Sequence, residues 1–126
     1  MSRSLPFIIF GLSVLILSAA QSISGRFIFT NKSTVELWVE VSGFEHSPGC
    51  GVLVPGGLKG SLMGTMHLPK EATIKWSEGY ASYNDAKAKQ HTNIISLVSL
   101  SNCPPDATIC FEFTSNRVWR VSCEKK

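Results

Sequence analysis

The feature that most constrains this chain is a strict period of two. In residues 35–41 (VELWVEV), Val35, Leu37, Val39 and Val41 fall on one side of an extended chain, and Glu36, Trp38 and Glu40 on the other. Successive side chains of a strand point to opposite faces, so this alternation predicts a strand buried on one side. The same rhythm, rich in β-branched and aromatic residues, recurs at 26–30 (RFIFT), 72–76 (ATIKW), 108–114 (TICFEFT) and 117–123 (RVWRVSC). Less regular strands are expected at 52–54, 60–68 and 93–100. Turn chemistry separates them: Asn31-Lys32-Ser33, Pro55-Gly56-Gly57 and Cys103-Pro104-Pro105-Asp106. Residues 79–92 break the rhythm. There Asn84 or Asp85 caps a short expected helix reaching Gln90, which has no apolar stripe and so packs little. About seven short strands of this kind predict an all-β fold, a small antiparallel β-sandwich or barrel-like domain.

The clearest hairpin joins 108–114 to 117–123. A two-residue Ser115-Asn116 loop sets Phe113 opposite Val118 and Phe111 opposite Arg120. On that register Trp119 lies on the face away from Phe111 and Phe113. Cys110 and Cys123 become diagonal neighbours on the other face.

The N-terminus has a different logic. Arg3 precedes an almost wholly apolar run at 5–17 (LPFIIFGLSVLIL), and small residues follow at Ser18, Ala19 and Ala20. This order of cation, apolar stretch and small residues is that of a secretory signal peptide, expected to be cleaved after Ala20. A membrane span needs roughly 20 apolar residues; this run is shorter and is interrupted by Pro6, Gly11 and Ser13. The remaining 21–126 are expected to form a single exported domain, periplasmic or secreted, with no stable membrane anchor. Twelve Lys and Arg stand against nine Asp and Glu, a formal net charge of +3 that falls to +2 without Arg3. The cations are scattered, which argues against a nucleic-acid partner.

Four cysteines, Cys50, Cys103, Cys110 and Cys123, all follow the leader. An even count in an exported chain predicts two disulfides, with three possible connectivities. Cys103–Cys123 and Cys110–Cys123 compete for the same partner. There is no CxxC, and His46, His67 and His91 sit at no zinc-like spacing, so no metal or other cofactor is expected.

Catalytic motifs are missing as well. There is no GxSxG elbow, and residues 55–61 (PGGLKGS) lack the GK[ST] ending of a phosphate cradle, so they read as a hairpin or bulge. Cys50 is framed by Gly49 and Gly51, a reading that fits a structural cysteine better than a reactive thiol. The chain therefore reads as a non-enzyme. Asn31-Lys32-Ser33 matches an N-glycosylation acceptor. The residues suited to anchoring a protein partner are Trp38, Tyr80, Tyr83 and Trp119. Trp38 between Glu36 and Glu40 also suits sugar binding, which keeps a secreted carbohydrate- or surface-recognition module as the alternative.

Several segments, taken in order, carry a resemblance: residues 30–33 leading into 35–43 (VELWVEVSG), Gly56-Gly57, Leu68-Pro69 followed by Ile74-Lys75-Trp76, and 111–121 (FEFTSNRVWRV). Together they resemble a family of small bacterial envelope proteins that act as immunity proteins against type VI secretion phospholipase effectors. The resemblance implies a periplasmic domain that binds a lipase effector and neutralises it, with no catalytic residue of its own. Two departures stand out. Members of that family carry a lipidated N-terminal cysteine, absent here, and cysteines just before the Leu-Pro, where this chain has residues 63–67 (MGTMH).

Overall fold

A computed structural model describes residues 21–78 and 89–124. Within them the chain forms ten strands and no α-helix: β1 (Ser22–Ile23), β2 (Arg26–Asn31), β3 (Leu37–Ser42), β4 (Gly51–Leu53), β5 (Leu58–Leu62), β6 (Met66–His67), β7 (Glu71–Glu78), β8 (Gln90–Ser96), β9 (Thr108–Phe113) and β10 (Trp119–Glu124). Two four-stranded sheets, ordered β10-β9-β2-β5 and β4-β3-β7-β8, pack face to face, and β1 pairs with β6 in a small separate ribbon. The all-β sandwich is thus as the alternation requires. Pairing is antiparallel except between β2 and β9, which run parallel.

The core follows from period two. β2 and β9 bury every second residue, and their ladder sets Phe29 beside Phe111 with ring centroids 5.2 Å apart. Phe44, from the loop after β3, closes on the edge of Phe27 at 5.0 Å. From the facing sheet come Leu37, Val39, Ile74 and Trp76. Each such side chain, fully buried, contributes about 1.5–3 kcal/mol of hydrophobic stabilisation.

Three local expectations are revised. The strand at 60–68 is two strands, β5 and β6, separated by Gly64 in the left-handed region. The strand at 93–100 ends at Ser96. Leu97 and Leu100 then bury on the same side, a spacing of three that fits the 3-10 turn Val98–Leu100 and not a strand. Gln90, expected to close a helix, opens β8, and Lys89 before it is not helical; the rest of that helix, to residue 88, lies outside the described residues.

The hairpin register is also revised. Thr114 N–H donates to Val118 O (2.9 Å), and Arg117 N–H to Thr114 O (2.9 Å), with Arg117 at φ 63°. This is a three-residue loop ending in a left-handed residue, not the two-residue Ser-Asn loop. The extra residue shifts pairing by one, so Trp119 opposes Phe113 and Val121 opposes Phe111. A one-residue slip turns every side chain to the other face. Trp119 therefore faces the core with Phe111 and Phe113, and Cys123 turns inward with Ile109.

That rotation decides the cysteines. Cys103 and Cys123 form a disulfide, with Cα atoms 6.3 Å apart, tying the β8–β9 connection to β10. Cys50 and Cys110 are free, so one disulfide replaces the expected two. Cys110 alternates with buried Ile109 and Phe111 and so faces outward, whereas Cys50 packs against the core.

Candidate functional site

One end of the sandwich holds Trp38 and Trp119, the two candidate binding residues that the structure describes. In the β3–β7 ladder Leu37 pairs with Glu78 and Trp38 with Ser77, and Ser77 pairs in turn with Gln90 of β8. β7 thus ends at Glu78, one strand from Trp38, and β8 begins at Gln90 on the far side of β7. Tyr80 and Tyr83 belong to the intervening segment and lie outside the described residues.

Trp38 is half-buried on the outer face of its sheet. Its indole N–H is directed at Glu40 Oε1 at a long 3.5 Å, and its ring lies across Gly51 of β4. A Cβ on Gly51 would sit 3.8 Å from two ring carbons, and Gly51 has φ 71°. The backbone conformation is what demands glycine here, since ring contact at that distance is ordinary. The glycine framing Cys50 therefore also forms part of the floor beneath Trp38.

Trp119 is placed differently from the sequence expectation. It is only 8% exposed, with its ring 5.1 Å from that of Phe113. Phe113 meets Trp76 at 4.7 Å, and Trp76 stacks on His91 at 4.1 Å and donates from Nε1 to Asn93 Oδ1 at 2.6 Å. A row of rings thus crosses the sandwich from β10 to β8. Trp119 supports this end from inside and is not a contact surface. Its buried indole N–H has no hydrogen-bond partner among the described residues. Above the row, Arg117 pairs with Glu78, joining the β9–β10 turn to the end of β7. Glu78, Lys89, His91 and Arg117 line a cavity of about 320 Å³ there.

The glycosylation pattern is explained by structure. Asn31 is 1% exposed; its Nδ2 donates to Val35 O (2.7 Å) and Leu53 O (3.0 Å), and its Oδ1 accepts from Ser33 N–H (2.9 Å) and Ser33 Oγ (2.6 Å). The Asn-x-Ser spacing here is an Asx turn that fixes the β2–β3 connection to β4. Asn31 O also accepts from Gly56 N–H at 2.7 Å, holding the Pro55-Gly56 turn in place.

The free thiols are not activated. Burial pushes the Cys50 thiol up to about 11, with Lys59 opposing. Cys110 is raised by burial and then by Glu124 and Glu112. A nucleophilic cysteine needs the opposite shift. Cys110 sits in a depression of about 510 Å³ on the outer face of the β10-β9-β2-β5 sheet, which mixes Lys32 and Arg120 with Glu112, Glu124 and Ile28. At the far end of the domain Glu45 accepts from the backbone N–H of His67 (2.6 Å) and contacts its ring (2.9 Å). The backbone bond, foremost, holds the Glu45 carboxyl below its ordinary value. Among the described residues no three His, Cys, Asp or Glu side chains gather as metal ligands.

Two features escaped the sequence reading. The Glu78–Arg117 pair joins residues 39 apart on the two facing sheets and leaves no local pattern. The start of β5 is the other: residues 55–61 read as a hairpin or bulge, so Leu58 and Lys59 fall outside the strand expected at 60–68. Comparison with protein-family models, with curated proteins and with solved structures gave no match.

Proposed function

We propose that this chain is an exported, non-enzymatic binding protein, periplasmic or secreted, which acts as an immunity protein by docking on a toxic lipase effector. The observation that carries the reading is the β3–β7 register, which sets Trp38 beside Ser77 at the point where the chain departs towards Tyr80 and Tyr83. A half-buried Trp on a rigid sheet, at the root of a Tyr-bearing connection, is the residue set that concentrates binding energy in protein interfaces. The end is braced from within by the Trp119–Phe113–Trp76–His91 row, so the anchor is presented on a stiff base. The Cys103–Cys123 disulfide fits an oxidising compartment outside the cytosol. Binding at this end neutralises the effector by covering its active site or its approach to the membrane, with no chemistry from this chain.

The contact between Trp38 and Glu40 favours a second reading, a secreted module that stacks a sugar on the indole and hydrogen-bonds it through the carboxylate.

The test is to use the purified protein to retrieve partners from the source organism's extract, and then to assay lipid hydrolysis by any retrieved phospholipase. Stoichiometric inhibition is expected. Trp38→Ala is expected to weaken the complex by at least about tenfold, since truncating a central anchor costs ~2 kcal/mol or more, with the far-UV circular dichroism of the folded domain retained. Retrieval of no lipase, together with glycan binding lost in Trp38→Ala, would replace this reading by the second. Purification-resistant hydrolase activity of the chain itself would overturn both.

A further inference from the structure

The strand β5 closes one edge of its sheet, paired on one side with β2. The hydrogen bonds from Asn31 N–H to Gly57 O and from Met63 N–H to Gly25 O fix the phase of that ladder. Bonded and non-bonded pairs alternate in an antiparallel ladder. Lys59 and Ser61 therefore turn their backbone groups to β2, and Leu58, Gly60 and Leu62 turn theirs to the open edge. Of the six exposed large apolar side chains among the described residues, Leu58 at 64% and Leu62 at 72% lie on this strand, and Val54 at 48% lies in the turn that leads into it. Such an edge is usually guarded by a lysine or proline. Here Lys59, the one charged residue of the strand, is drawn aside and donates from Nζ to Cys50 O at 2.9 Å.

The segment is complementary to itself. Turned antiparallel against a second copy about an axis through Gly60, residues 58–62 (LKGSL) set Gly60 opposite Gly60, Leu58 opposite Leu62, and Lys59 opposite Ser61. Every outward N–H and C=O then meets a partner. The two leucine pairs fall on one face, the residue on the axis has no side chain to clash, and no like charges face each other. We propose that β5 pairs in this way with β5 of a second copy, joining two four-stranded sheets into one of eight strands. The contact is isologous, as a closed dimer requires. The seam is five residues on each side, short of the ~800 Å² per partner of a standard stable interface. The dimer is therefore reversible and depends on concentration. It leaves the Trp38 end, set on the other sheet, free for a different partner.

Sedimentation of the purified protein over a concentration series tests this. A monomer–dimer equilibrium is expected. The double variant Leu58→Lys, Leu62→Lys sets like charges across both leucine pairs and is expected to weaken dimerisation at least about tenfold. The double variant Leu58→Lys, Leu62→Glu sets opposite charges there and is expected to restore it at low salt. All three proteins should share one far-UV circular dichroism spectrum, since none of these side chains enters the core. Gly60→Pro, which deletes an outward N–H and leaves the β2 bonds intact, is expected to give monomer. A monomer at every concentration overturns the proposal. So does a dimer indifferent to these variants. Binding of an extended peptide to β5 without any self-association would assign the edge to a different occupant and equally overturn it.

Discussion

Trp119 stands directly opposite Phe113 in the β9–β10 ladder, with ring centroids 5.1 Å apart, because Arg117 adopts a left-handed conformation two residues earlier. The turn adds one residue to the hairpin, and that residue decides which tryptophan face meets water. A Trp that looks like a surface anchor by alternation is instead a wedge between the sheets.

Trp119→Ala is accordingly expected to cost about 3–5 kcal/mol, the range for truncating a large buried aromatic. Trp119→Phe keeps most of the packing and loses an indole N–H that has no partner among the described residues, so it should cost much less. Urea unfolding of the two variants checks this. A midpoint unchanged in Trp119→Ala would mean that the ring is not in the core.

The strands of the sandwich were legible because alternation is a local signal. Residues 35–41 show their buried side without reference to anything else, and β3 follows it with Leu37, Val39 and Val41 inward. What was not legible depended on one backbone angle or on a distant pairing. Nothing in Ser115-Asn116-Arg117 marks Arg117 for positive φ, a conformation non-glycine residues seldom adopt, yet the faces of Trp119 and Cys123 both hang on it. The parallel pairing of β2 with β9 joins residues some eighty positions apart, and the sequence of either strand is silent about its neighbour. The place of Trp38 at the root of the β7–β8 connection is of the same kind, since it needs the β3–β7 register.

The cysteine arrangement predicts a thiol count. The native chain, denatured without reductant, should titrate two thiols, from Cys50 and Cys110. A count of zero would mean that these two also pair. Reduction opens the Cys103–Cys123 link, which spans 20 residues. It is expected to lower stability by about 3 kcal/mol on the loop-entropy estimate, seen as a lower melting temperature. The same reductant should leave the melting of a Cys103→Ser, Cys123→Ser variant unchanged.

Asn31 carries more structural weight than its sequence pattern suggests. Removing its amide in Asn31→Ala strands the carbonyl of Leu53, while Val35 O keeps the Ser33 hydroxyl at 3.3 Å, and an unsatisfied buried group costs ~1–3 kcal/mol. A loss of about 1–3 kcal/mol is expected by the same reckoning, measurable by chemical denaturation. A glycan on Nδ2 would occupy the same amide. The folded protein made in a glycosylating host should therefore show the unmodified mass at the peptide containing Asn31, and a glycosylated, fully folded species would contradict the buried Asx turn.

Cys50 gives the chain a specific weakness to alkali. Burial raises its thiol to about 11 in the folded protein, against an ordinary value of 9.0. Below pH 9 the thiol is neutral in both states and its contribution to stability is fully present. Between pH 9 and about 11 the unfolded chain loses the proton while the folded chain keeps it, so ionisation favours unfolding. Stability falls across that window, and the loss is complete once the folded thiol itself ionises. Allowing for the partial exposure of Cys50, the loss is about 1–2 kcal/mol. The informative quantity is a difference between two chains that differ only at this thiol. Urea midpoints measured from pH 8 to 11 should fall more steeply for the native chain than for Cys50→Ala. Parallel curves would show that the thiol is solvated in the folded state.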